Sequence, residues 1–326
     1  MLNCIVFLKW RRKFCLGLNL VSFFAFAQQE AQLTQFVFHQ HYFNVACAGI
    51  SRAYSEAQFI HRMQYLGYTT TLDANLPPTT QIFSVTSPFT AYNIGVGGLF
   101  ANDRFGPLTK QKALFSLAYQ FKIRNENILA VGAGLGAFSF ALNNDLLRFV
   151  DPHDRYASYA GVQTQTKPLY RMGAFYQTSY FYTGVSVNQL LPTTFDLGTG
   201  NVYHSTNQHI YYIVGFHRMI LPNFKISPAA LVKFDRKVVS IEGGMVATYL
   251  EKLFLGLFWR ESDAFSAIVG IYPLKSTQLQ FSYAFDYVYH YQTAKAPTSH
   301  EILLAYKFGT VKPLVRTIIR TPRFRH

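Results

Sequence analysis

Charge is scarce in this sequence, cysteine scarcer, and after the first few dozen residues a long apolar run is missing altogether. Only 14% of the 326 residues are charged although 17% are aromatic, whereas an ordinary soluble domain carries roughly 25% charge. A disordered chain has many charges and few aromatics, so disorder is excluded. Beyond residue 27 no run of about 18 apolar residues occurs, which excludes a bundle of membrane-spanning helices. The three cysteines, Cys4, Cys15 and Cys47, are too few for a disulfide framework or a multi-thiolate metal centre. What is present is a chain with 31 Phe and 22 Tyr. A transmembrane β-barrel satisfies every one of these conditions, because it crosses lipid with strands and leaves charge to lumen and loops.

The N-terminus has the order of an export signal. Lys9, Arg11, Arg12 and Lys13 precede an apolar stretch from Phe14 to Phe24, and Ala25-Phe26-Ala27 forms an A-x-A cleavage site before Gln28. Residues 1–27 are therefore expected to be a signal peptide, whose removal leaves Cys47 alone; Cys15 lacks the small-residue context of a lipoprotein. The formal charge of +14 falls by four with the signal. Much of the remainder sits in a tail with Lys312, Arg316, Arg320, Arg323 and Arg325, and no acid follows Glu301. In an exported protein such a tail is expected to meet lipid headgroups or an acidic protein rather than nucleic acid. The expected division is 28–52 as an N-terminal plug or periplasmic segment, 53–309 as the barrel and 310–326 as a basic periplasmic tail.

Period-two alternation recurs along the chain. From Leu279, the residues Leu279, Phe281, Tyr283, Phe285, Tyr287 and Tyr289 share one face, while Gln280, Ser282, Ala284, Asp286 and His290 share the other. In a barrel the aromatic face meets lipid and Asp286 points into the lumen, where it needs a cation such as Arg260, or the plug, as partner. Similar segments begin near Gln58, Thr79, Asn93, Leu114, Ile128, Tyr170, Tyr180, His209, Phe224, Val238, Leu253, Phe265 and Glu301, giving about fourteen antiparallel strands. Connections after strands 2, 4, 6, 8, 10 and 12 read as short, and those after 1, 3, 5 and 7 as long. Short periplasmic turns opposite long extracellular loops are the barrel asymmetry, and they place both termini in the periplasm. Gly132, Gly134 and Gly136 leave one strand face without side-chain volume, so another segment can approach there inside the lumen; 28–50 is the candidate.

No chemistry stands out. Ser299-His300-Glu301 would put its members on alternating strand faces, which forbids a nucleophile–base–orienter chain. Glu261 and Asp263 share a tight turn in which Arg260 offsets their charge, so an acid/base pair is not expected. Asn102 and Asp103, ahead of Gly106-Pro107, offer two oxygens where calcium takes six to eight; a turn cap is the simpler reading. The ten His show no metal-binding spacing, with His39 and His41 the only close pair. No enzyme, metal or cofactor is expected.

The ordered motifs resemble one family. Gln28-Gln29-Glu30-Ala31-Gln32-Leu33-Thr34-Gln35-Phe36 leads to Asn44-Val45-Ala46-Cys47-Ala48-Gly49, with Val45 where the family has Pro and Cys47 where it has Tyr. Arg62-Met63-Gln64-Tyr65-Leu66-Gly67, then Pro78-Thr79-Thr80-Gln81 and Ser84, form a second block. Gly95-Val96-Gly97 with Asn102-Asp103-Arg104-Phe105-Gly106-Pro107 forms a third. Trp259-Arg260-Glu261-Ser262-Asp263-Ala264-Phe265, Phe281 to Tyr287, Ser299-His300-Glu301-Ile302 and Pro322-Arg323-Phe324 complete the series. In this order they resemble the PorP/SprF family, outer-membrane proteins associated with the type IX secretion system of Bacteroidetes. The resemblance implies a fatty-acid-transporter-like barrel that binds, exports or anchors a cell-surface cargo such as an adhesin through the cargo's C-terminal domain. It also implies association with other secretion or gliding components. The matching positions expected as plug, lumen or cargo contacts are Gln35, Asn44, Ala48, Gly49, Arg62, Gln64, Gly67, Thr79, Thr80, Asn102, Asp103, Gly106, Pro107, Trp259, Arg260, Asp263, Asp286, Tyr287, Ser299, His300 and Glu301. A porin-like or hydrophobic-solute channel is the alternative that the fold alone permits.

Overall fold

In the strands that face lipid, apolar side chains must point outward and polar ones inward, the inverse of a soluble core, and the strands here are sorted in that way. Along β14 (Leu253–Arg260), Leu253, Leu255, Leu257 and Trp259 are exposed, whereas Phe254, Phe258 and Arg260 are buried. Along β4 (Leu108–Arg124), Phe115, Leu117, Tyr119 and Phe121 point out, and Lys112, Ser116 and Gln120 point in. Each outward Phe or Leu contributes roughly 2 kcal/mol when lipid covers it. Leu257→Arg, near the middle of β14, is expected to cost about 2–4 kcal/mol in a bilayer; urea unfolding in vesicles measures it.

The computed structural model describes residues 30–66, 77–124, 127–147, 160–196, 203–235, 238–274, 278–290 and 296–309. The expected signal peptide, the basic tail and Gly67 lie outside them. Besides β4 and β14, the strands are β1 (Ser55–Met63), β2 (Thr79–Phe89), β3 (Ile94–Phe105), β5 (Asn127–Asn143), β6 (Val162–Gln177), β7 (Phe181–Asn188), β8 (Thr194–Asp196) and β9 (Tyr203–Ser205). There follow β10 (His209–Phe216), β11 (Arg218–Leu221), β12 (Phe224–Asp235), β13 (Val238–Tyr249), β15 (Ala264–Ile271), β16 (Leu279–Val288) and β17 (Thr298–Phe308).

Every barrel pairing is antiparallel and between neighbours, and β1 pairs with β17 from Ser55↔Phe308 to Met63↔His300. β10 pairs with both β7 and β12, and β11 continues it past His217 along β12. β8 and β9 form a separate hairpin. The result is a closed fourteen-stranded antiparallel barrel with little helix. No helix among the described residues is long and apolar enough to cross a membrane.

Three sequence expectations are corrected here. The connection after the third strand is not long. β3 and β4 stay paired to Phe105↔Leu108, and Gly106-Pro107 is a two-residue turn in which Gly106 takes φ +55°, as the first position of a type II′ turn requires. Asn102 and Asp103 are therefore strand residues, not a turn cap: Asn102 accepts from Gln111 Nε2 at 3.1 Å and Asp103 from Thr80 Oγ1 at 2.7 Å. Likewise β6 starts at Val162, ahead of the expected Tyr170. Its first residues, Gln163 to Lys167, are polar on both faces because they rise past the lipid belt, so no apolar alternation marks them.

Thr34 lies beside Arg62 and Glu301 at the β1–β2 and β16–β17 connection end. Ala48 and Gly49 lie beside Gln120 and Ser87 at the opposite end, where β17 also finishes. The described chain thus runs down inside the barrel before turning up into β1. Thr34 and Gly309 stand at opposite ends of the barrel; the two termini lie outside the described residues.

Candidate functional site

The inside of the barrel is where polar chemistry collects. Arg62 near the end of β1, Asp286 near the end of β16 and Glu301 near the start of β17 all point inward, with side chains 3%, 1% and 0% exposed. Arg62 donates to Asp286 at 2.6 Å and to Glu301 at 3.0 Å. Glu301 in turn accepts the backbone N–H of Thr34 at 2.9 Å and of Gln35 at 3.0 Å. The Thr34 hydroxyl donates to Asp286 at 2.7 Å and accepts from Arg62 at 2.9 Å. A second cluster adjoins the first: Arg260 makes a two-pronged pair with Glu242 at 3.1 Å, contacts Asp263 at 3.0 Å, and lies 3.8 Å from Asp286.

Asp286 therefore faces the lumen between outward Phe285 and Tyr287, but its principal cation is Arg62, with Arg260 second. Paired and hydrogen-bonded buried charges of this kind tie strands together and are costly to leave half-made.

Below this cluster the segment Ala31–Ile50 continues, buried or half-buried at every residue. Phe36 packs edge-on to Phe258 at 5.4 Å and Phe38 lies 5.0 Å from Phe254. His39 Nε2 bonds Ser84 at 2.8 Å and His41 Nε2 bonds Ser116 at 3.2 Å. Both imidazoles act as buried hydrogen-bonding residues. A short helix, α1 (Gln40–Phe43), and a 3-10 turn (Val45–Cys47) satisfy backbone groups that water cannot reach.

Asn44 anchors the lower half. Its side chain accepts from Ala46 N at 2.9 Å and donates to the carbonyls of Ala174 (3.0 Å) and Val185 (3.2 Å). Asn44→Ala is expected to cost about 2 kcal/mol through these lost bonds, read as a lower midpoint for loss of heat-modifiable gel migration.

The glycines leave the segment its space. A Cβ on Gly132 would stand 2.7 Å from Ala46 Cα, and one on Gly95 would run into the Ala48 carbonyl. Gln120 Nε2 donates to the carbonyl of Gly49 at 2.9 Å, and Arg52 donates to Gln120 at 2.9 Å and Asn93 at 3.0 Å, closing the lower end.

The sequence positions thus divide. Gln35, Asn44, Ala48, Arg62, Arg260, Asp263, Asp286 and Glu301 meet inside the barrel, and Gly49 turns against the Ser87 backbone. Thr80, Asn102 and Asp103 hold the β2–β3–β4 ladder, with Thr79 starting β2 and Gly106-Pro107 its turn. Gln64 N donates to the Pro78 carbonyl at 2.8 Å, and Ser299 Oγ accepts from Tyr65 N at 3.1 Å. Trp259, Tyr287 and His300 are turned away from the lumen: Trp259 Nε1 donates to the Tyr289 hydroxyl at 3.3 Å, and His300 bonds the Tyr283 hydroxyl at 2.6 Å. Sequence reasoning did not single out Glu242 or Thr34. Glu242 was signalled only by a carboxylate within the apolar stretch Val238 to Val246. No group of His, Cys, Asp and Glu among the described residues could hold a metal ion.

A closed strand barrel with an apolar exterior and a polar, charge-paired interior is an integral outer-membrane protein. Its sequence matches the family described as Type IX secretion system membrane protein PorP/SprF over residues 25–306, and the chain belongs to that family. No curated protein matches the chain. Solved structures similar to it include the outer-membrane protein Omp33 of Acinetobacter baumannii (8% identity, TM-score 0.47, covering 78% of this chain and 98% of that one). A Pseudomonas aeruginosa FadL homologue (9%, 0.45, 81% and 98%) and a deletion mutant of TodX, a monoaromatic hydrocarbon channel (9%, 0.49, 81% and 93%), are also similar.

Proposed function

We propose that the barrel is a docking and anchoring station of type IX secretion, non-enzymatic, which binds a secreted cell-surface protein through that protein's C-terminal domain. The reading is carried by one observation beside the family: Ala31–Ile50 occupies the barrel interior from the Arg62–Glu301 cluster to Gln120. A barrel so filled offers its loop end as a binding face rather than its lumen as a passage. In this reading the short-turn end and the basic tail face the periplasm, the long loops face outward, and Ala31–Ile50 is a plug.

The test is affinity purification of the full-length protein in detergent, with gene deletion in parallel. Co-purification of a surface protein, and loss of its display on deletion, is the expected result. An intact surface proteome with slowed uptake of small solutes would instead make the protein a solute channel.

A further inference from the structure

The barrel rim is not level, and the step in it leaves a sheet edge open. β5 and β6 stay paired up to Asn143↔Val162, but β7 pairs with β6 only from Arg171↔Asn188 to Gln177↔Tyr182. Above Tyr170, whose carbonyl accepts Leu190 N at 3.0 Å, no described strand lies against the outer side of β6. The stretch Val162–Leu169, against whose outer side no described strand is paired, spans about 26 Å at the usual strand rise.

Hydrogen-bond phase shows which groups no described strand uses. Gly161 accepts from Asn144 on the β5 side and Tyr170 accepts from Leu190 on the β7 side. Odd residues of β6 therefore face β5, and even residues face the open edge. The N–H and C=O groups of Val162, Thr164 and Thr166, with the C=O of Pro168, make a row of edge groups at the loop end. Val162, Thr164, Thr166 and Pro168 are all exposed. Such a row is a template for an added strand. Pro168 blunts it only at the lipid-proximal end.

We infer that this edge is a β-augmentation site, at which an extended strand of the secreted partner pairs with Val162–Thr166. The inference rests on the docking reading above. Charge selects the occupant. The inner face of this projection carries Lys167, opposite Phe138. Two copies joined edge to edge about residue 167 would set their Lys167 side chains against each other. A partner strand with acidic side chains toward the barrel axis is complementary.

The test exploits the phase. Proline at 164 and 166 removes two edge N–H groups and no β5–β6 ladder bond, as Pro168 in the same phase already shows. Full-length wild type, T164P/T166P and T164A/T166A are produced in the native host, purified in detergent with their bound surface protein, and checked for heat-modifiable migration. Retention is expected to fall about tenfold or more for the proline variant and to stay at wild-type level for the alanine variant. The Thr164 and Thr166 amides should exchange more slowly with the partner bound than in the isolated barrel. Full retention by the proline variant, equal loss in both variants, or unchanged exchange would overturn the inference alone, as would a barrel dimer that the prolines dissolve. A wild-type barrel that retains no surface protein would overturn the docking reading itself.

Discussion

Arg62→Ala should destabilise the barrel by about 3–5 kcal/mol, the cost of stranding buried carboxylates without their cation. Arg62 is the hydrogen-bonding cation nearest Asp286, at 2.6 Å, and it also holds Glu301 at 3.0 Å. In the variant Arg260, 3.8 Å from Asp286, offsets one charge in part. Glu301 keeps only the N–H groups of Thr34 and Gln35. Because those bonds also hold the inner segment, the loss should appear twice: as a lower unfolding midpoint, and as faster amide exchange at Thr34 and Gln35. Replacing Arg62, Asp286 and Glu301 together by apolar residues of similar volume should recover much of the stability, since no charge is then left unpaired. A change below about 1 kcal/mol for Arg62→Ala would mean that the cluster is hydrated like a surface pair.

Gly132→Val and Gly95→Val should act on the segment without touching a charge. Both glycines face its backbone, Gly132 that of Val45 and Ala46, Gly95 that of Ala48. A branched side chain there meets main chain that cannot rotate aside. Overpacking of this kind costs typically about 1–3 kcal/mol, and the backbone contact puts these two at the upper end. The barrel ladder should survive, because both side chains point inward, while Ala31–Ile50 is displaced and becomes protease-sensitive. Gly98→Val is the control, since a Cβ there meets nothing within 4 Å. Equal protease resistance in all three variants would refute the packing account.

These effects show where the sequence was legible. Alternation such as Phe281, Tyr283 and Phe285 against Ser282, Ala284 and Asp286 sets the strands and which face meets lipid, because lipid imposes one simple rule. Where strands leave the lipid that rule stops: Asn102–Arg104 and Gln163–Lys167 are polar on both sides and read as loop, though the ladder continues through them. The lumen is legible by residue type but not by partner. Asp286 on a lumen face demands a cation, yet only closure of β1 on β17 brings Arg62 to it. Loop lengths describe the strands, and nothing in them records that residues 34 to 48 descend through the barrel.

The most direct test of the account is planar-bilayer conductance of the purified protein, beside a variant lacking residues 31–50 that still shows heat-modifiable migration. The filled-barrel account predicts no steady current from the wild type and a steady open pore from the deletion variant. A steady pore of the same conductance in both would contradict it.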